Sequence, residues 1–320
     1  MTFARVLGAV GRLMIRVGAV ILLFVVYQLW GTGIHTAQAQ DDLARQFKAQ
    51  QSALTTPSTT TPTTGTDGPG ATIAPPTPGA TLPAPEPGKP IGQITIPRIG
   101  ADFYMVEGVE LRYLQEGPGH FPGTPLPGQA GNAAVAGHRT TYKAPFNRID
   151  ELEPGDTITI TTLQGTFTYQ VIDQAGPGEA PIGHRIVSPS AVEILTDKGD
   201  NRLTLMACNP KYSAAQRIVV EAKLVGNQAP DTPRSAENPT NLSQSDLAGV
   251  GLAGGDPSAR PAAIAYSLLA LGIWFLAWYL AHRRLRGWWR VAPYAVALPF
   301  FVVALYASFE NITKLLPGAY

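Results

Sequence analysis

The sequence predicts an all-β domain, a closed or nearly closed barrel, carried on membrane helices. At least seven short strand-like runs lie between residues 91 and 225, separated by Gly/Pro turns, which is the pattern of a barrel. Polar or proline-rich linkers flank that region, and beyond each linker lie long uncharged apolar runs. Charged residues make up only 15 % of the 320, with 33 Gly and 29 Pro, a composition that fits part membrane, part linker and part β-domain. The net charge of +1 leaves no electrostatic footprint for a nucleic-acid partner.

The chain begins with Arg5, Arg12 and Arg16 and no acidic residue, then carries no charge from Val17 to Ile34. That length and charge bias predict a first transmembrane helix within residues 1–40, its N-terminus cytoplasmic. Ala37-Gln38-Ala39 resembles a signal-peptidase site, but it lies well beyond a run that is long for a signal peptide. DDLARQFKAQ (41–50) can extend the helix briefly. Residues 51–90 then hold ten prolines and eleven threonines, too little apolar surface to offset ordering entropy. Residues 41–90 are therefore expected to be mainly a disordered stalk.

The β-region follows. IGQITI opens it, with Pro97 at the strand end, where a missing N–H is tolerated. FYMV (103–106) and NAAVAG (132–137) are further strands. TITITTL (157–163) and TFTYQVI (166–172) alternate around Gln164-Gly165 as a hairpin, after a turn at Pro154-Gly155. LTLMAC (203–208) and RIVVEAKLV (217–225) complete the set, with short helices expected over 145–152 and 190–198. Residues 226–261 read as a second linker. Uncharged runs at 262–281 and 291–309 predict two more transmembrane helices, three in all. The 282–290 loop between them carries Arg283, Arg284, Arg286 and Arg290, which places it in the cytoplasm and the 310–320 tail outside.

The chemistry centres on Cys208, the only cysteine in the chain. One cysteine permits neither an intrachain disulfide nor a thiolate metal site. His120, His138 and His184 are scattered without clustered acids, and no Gly-rich loop opens a helix, so neither a metal nor any other cofactor is expected. Cys208 ends one apolar run, Arg217 opens the next, and His138 follows an earlier one. A thiol, an imidazole and a permanent cation at strand ends are the parts of an acyl-transfer site: nucleophile, proton carrier and oxyanion partner.

Thr204-Leu205-Met206-Ala207-Cys208, the following Arg217 and the upstream Ala136-Gly137-His138-Arg139 resemble the signature of sortases. GPGHFPGTPLPGQAGNAAVAGHRTTYKAPFNRIDELEPGDTI and CNPKYSAAQRIVV are similar to the class E branch almost throughout. The resemblance covers roughly residues 91–225. It implies an eight-stranded sortase β-barrel and a membrane-bound transpeptidase. Its partners would be surface proteins with a C-terminal LAxTG- or LPxTG-like signal, cut between Thr and Gly, and a cell-envelope amine acceptor, either a peptidoglycan precursor or a pilin lysine. It implies Cys208 as nucleophile, His138 as general acid/base and Arg217 as the oxyanion-stabilising cation. Ala207 departs from the pattern, since sortases usually carry Thr before the cysteine. Thr204, Ala207, Tyr142 and His120 are the remaining candidates for lining the substrate groove, His120 reading first as a structural residue of its turn.

Other cysteine acyl-transferases fit less well. An L,D-transpeptidase-like enzyme places Ser-His-Gly before its cysteine, and a papain-like one places its cysteine early with the histidine after it. A non-enzymatic scaffold with an inert thiol is the bland alternative.

Overall fold

The computed structural model describes residues 3–55, 82–234, 257–283 and 287–316. The chain divides into two compact units, residues 35–253 and residues 1–34 with 254–318. The expected stalk over 56–81 and most of the second linker (235–256) lie outside the described residues, as do 284–286 of the basic loop and the last four of the C-terminal tail.

The described residues of the first unit form nine strands: β1 (Pro90–Ile96), β2 (Ala101–Glu107), β3 (Gly119–His120), β4 (Asn132–Ala136), β5 (Thr157–Thr162), β6 (Gly165–Val171), β7 (Arg185–Val187), β8 (Arg202–Asn209) and β9 (Gln216–Val225). They run β6-β5-β1-β2-β3-β4-β8-β9-β7 across one sheet, and a further β6–β9 pairing closes it. Eight strands thus form the barrel, as the resemblance implies. The ninth, β7, pairs with β9 at residues 217–219, ahead of the 222–225 stretch that pairs with β6. Register follows the pleat. In the β5–β6 hairpin Ile158, Ile160, Phe167, Tyr169 and Val171 point into the barrel while the intervening threonines face out.

Strands β4 and β8 pair in parallel, Ala136 opposite Met206, and are buried on both faces. Ala133, Val135, Leu203, Leu205 and Ala207 fill the interior. Ala134, Ala136, Met206 and Cys208 belong to a second apolar cluster outside the barrel, with Leu114, Ala191, Ile194 and Leu195. Two covered faces explain why these strands read as continuous apolar runs rather than alternating ones.

The folded unit extends past its expected limits of 91 and 225. Helix α2 (Thr32–Thr55) runs into the segment read as stalk, and its Leu43 and Phe47 are buried. The cause is an open strand edge. Gln40 accepts a hydrogen bond from the Tyr104 N–H (2.7 Å) and donates one to the Tyr104 carbonyl (2.9 Å), so a side-chain amide stands in for a neighbouring strand. After β9, Ala229 packs into the core and its N–H bonds the Gly128 carbonyl at 2.7 Å.

A buried carboxyl–imidazole hydrogen bond joins β2 to β3. Glu107 and His120 are register partners, both essentially inaccessible, with Oε2···Nδ1 at 2.7 Å. His120 Nε2 donates to the Pro125 carbonyl at 2.9 Å. His120 is therefore buried and bonded within its own turn. Glu107→Ala should lower barrel stability by about 1–3 kcal/mol, because it leaves the buried His120 Nδ1 without its hydrogen-bond partner. Thermal unfolding of the full chain in detergent, followed by circular dichroism, measures this. An unshifted midpoint would mean the pair contributes nothing.

The second unit is helical. It holds α1 (Phe3–Val26), a π-helical turn at Tyr27–Gly31, α4 (Arg260–Arg283) and α5 (Ala292–Leu315); the single-turn α3 (Leu111–Leu114) belongs to the barrel unit. Ala263, Ala270, Ala277 and Ala281 form a buried stripe on α4. Ser267 and Ser308 hydrogen-bond between α4 and α5 at 2.7 Å. Tyr27 meets Tyr306 edge-on at 5.2 Å between ring centres.

Among the described residues two helices, Pro257–Arg283 and Trp289–Leu315, are long and apolar enough to cross a membrane. Three were expected. The N-terminal run Val17–Ile34 is instead divided between α1, which carries three arginines ahead of its apolar half, the π-helical turn and the start of α2. Helices also make up 45 % of the interpretable residues, so the all-β description holds for the barrel and not for the chain.

Candidate active site

Three adjacent strands, β4, β8 and β9, lead to the three chemical groups. Cys208 on β8 is the register partner of Arg217 on β9. On the other side β4 pairs with β8 through Ala136 and Met206, and the Gly137 N–H continues the ladder to the Met206 carbonyl at 3.0 Å. Two residues beyond that pair stand His138, in the loop that follows β4, and Cys208, near the end of β8. All three side chains are buried, at 3 %, 1 % and 1 % exposure for Cys208, His138 and Arg217.

Each group is tuned by its surroundings. Burial pushes the Cys208 thiol up, against the pull of the Arg217 and Arg139 guanidiniums. The thiol is thus the resting form near neutral pH, and a proton acceptor is needed for it to react. Burial lowers Arg217, while the nearby Cys208 opposes that. Arg217 Nη1 donates to the Ala214 and Gln216 carbonyls at 2.9 and 3.0 Å, whereas its buried Nε and Nη2 have no hydrogen-bond partner. Two unspent donors of a buried cation, on the strand beside a thiol, suit an arriving carbonyl or its oxyanion.

The histidine loop is held in an unusual conformation. A Cβ on Gly137 would stand 2.6 Å from the Phe146 ring, so only glycine fits there. Tyr142, Lys143 and Ala144 take φ of 53°, 59° and 42° in succession, a left-handed stretch costly for residues with a Cβ. This turn lays the Tyr142 ring against His138 at 4.9 Å.

Of the weaker groove candidates, only Tyr142 is brought to the site. Ala207 is fully buried in the barrel interior, opposite Ile218; one residue from Cys208, it faces the other way by the period of the strand. Thr204 donates to Asn132 Oδ1 at 2.7 Å, and Asn132 in turn bonds the Ile194 and Thr196 carbonyls. Thr204 therefore braces the segment that covers the outer cluster. Among the described residues no group of three His, Cys, Asp or Glu side chains converges as a metal would need.

The structure adds residues that sequence reasoning passed over. Arg139 is buried and reaches the Cys208 carbonyl, Asn209 and Asp150. Its only sequence signal was its place next to His138.

Comparison with known proteins decides the family. The sortase-domain family profile matches residues 94–225. Residues 94–225 are a sortase domain. Sortase SrtE1 of Streptomyces coelicolor is 30 % identical over 257 residues, 73 % of this chain and 60 % of that protein. Sortase SrtE2 of the same organism is 26 % identical over 72 % of this chain and 87 % of its own length. The matched region thus spans less than two thirds of SrtE1. The solved structure of sortase E from Streptomyces avermitilis is 32 % identical, covering 45 % of this chain and 93 % of that one at a TM-score of 0.38. The class E sortase resemblance seen in the motifs agrees with these relatives.

Proposed function

We propose that this sortase is a membrane-anchored cysteine transpeptidase of the class E type, acting on surface proteins with an LAxTG- or LPxTG-like C-terminal signal. The observation that carries the reading is the pairing of Cys208 with Arg217, two of whose buried donors are uncommitted, beside the strand that leads into His138. Cys208 gives its proton to His138 and attacks the threonine carbonyl. The resulting oxyanion is met by Arg217 Nε and Nη2. The C–N bond to glycine breaks, His138 protonates the departing amine, and a thioester joins the protein to Cys208. An incoming envelope amine, from a peptidoglycan precursor or a pilin lysine, loses its proton to His138 and attacks the thioester. A new amide forms and the thiol is restored. The apolar cluster beside Cys208 supplies a floor for the Leu and Ala or Pro of the signal. Helices α4 and α5 hold the enzyme in the membrane lipid, with the barrel on the extracytoplasmic side where its substrates emerge.

The full chain in detergent, given LAxTG and LPxTG peptides with an amine such as triglycine, should cut between Thr and Gly and join the acyl part to the amine. Mass spectrometry identifies both products. A folded protein that labels with a thiol reagent but leaves the whole peptide panel intact would sink the proposal.

A further inference from the structure

Arg139 links the two halves of the site. It follows His138, is only 5 % exposed, and crosses to the end of β8. Its Nη1 donates to the Cys208 carbonyl at 3.4 Å and to Asn209 Oδ1 at 2.7 Å, and its Nη2 pairs with Asp150 Oδ1 at 2.9 Å. Its own carbonyl accepts from Asn147 Nδ2 at 2.7 Å, so main chain and guanidinium are both fixed. A planar fork can bridge three acceptors at set angles where a lysine ammonium cannot.

The charge balance is also uneven. The guanidinium is buried, whereas Asp150 is 40 % exposed, and water screens the exposed partner more than the buried one. A net positive field therefore remains on the thiol side.

We propose that Arg139, anchored by Asp150, is a positioning residue of the transpeptidation site that clamps the nucleophile's main chain to the histidine loop and favours the Cys208 thiolate. The inference rests on the reading of Cys208 as nucleophile. The charged and titratable groups around the thiol are Arg217 from β9, His138 and Arg139 from the loop after β4, and, behind Arg139, Asp150, Lys211 and His184. Partial burial is the largest influence on Asp150 and pushes its carboxyl up, but the Arg139 hydrogen bond and the Arg139 and Lys211 charges together hold it below the usual range. Burial, chiefly, holds His184 below the ordinary histidine value. Both keep one charge state above pH 7, so an alkaline profile of thiol reactivity reads Cys208.

Cys208 is the only cysteine, so iodoacetamide alkylation of the full chain in detergent reports that thiol alone. Arg139→Gln should raise the midpoint of the alkylation profile by about 1 pH unit, a roughly tenfold loss of thiolate below it. Asp150→Asn should move the midpoint down, because it leaves the cation uncompensated. A merely structural role would loosen the site and shift both variants the same way. Shifts in one direction, or a parental profile for Arg139→Gln, overturn the proposal. If Arg139→Gln fails to fold, Asp150→Asn decides: a lower midpoint supports the clamp, and an unchanged or higher one refutes it. The assay uses no peptide. A parental chain that cleaves no sorting peptide therefore counts against the proposed function and not against this role of Arg139.

Discussion

Replacement of Cys208 by alanine should abolish transpeptidation while leaving the barrel folded. Removing the nucleophile of a site whose members act as a unit costs on the order of a million-fold in turnover, since His138 and Arg217 have nothing to activate or follow. The structural cost is small by comparison. Cys208 sits among Met206, Val219, Ala136 and Leu195 on the outer face of β8, and losing one sulfur atom from such a cluster costs roughly 1 kcal/mol. The two effects separate in one experiment, peptide cleavage beside thermal unfolding. Cleavage retained at a tenth of the parental rate would move the nucleophile elsewhere.

Replacement of Arg217 by lysine should lower kcat/KM by about 10²–10³-fold, the scale for removing one oxyanion donor. Arg217 divides its fork. Nη1 holds the Ala214 and Gln216 carbonyls, and Nε with Nη2 has no hydrogen-bond partner, which leaves both for the oxyanion in the proposed mechanism. A lysine ammonium is a single point on a flexible stem and can serve the carbonyls or the substrate, not both. Burial at 1 % exposure adds a second penalty, because a desolvated lysine loses its proton far more readily than a guanidinium. Steady-state kinetics with a sorting peptide measures the loss. A rate within threefold of the parent would reduce Arg217 to a structural brace of the β8–β9 turn.

Much of the barrel was legible because its strands obey local rules. The alternation of TITITT and TFTYQV predicts an inward apolar face, and Ile158, Ile160, Phe167 and Tyr169 occupy it. β3, two residues long, and β7, three, carry too little pattern to be seen. The length of the helical entry depends on contacts that composition does not carry. Composition marks residues after 40 as polar linker, but Gln40 finds an unpaired backbone on β2, and α2 continues to Thr55 over a partner that is 64 positions away in the chain.

By itself the sequence determined the chemical inventory and its spacing: one thiol, one histidine motif, one arginine opening the next strand, and the apolar runs that carry them. These depend on residue type and on periods of 2 or 3.6, which are local properties. Tertiary structure alone decided which way each side chain faces and what it is tied to. Ala207 turned into the core while its neighbour Cys208 faces out, Thr204 and His120 became braces, and Arg139 became the link between the histidine loop and the Cys208 main chain. Those outcomes follow from parallel pairing of β4 with β8 and from burial on both faces, long-range facts that no window of sequence contains.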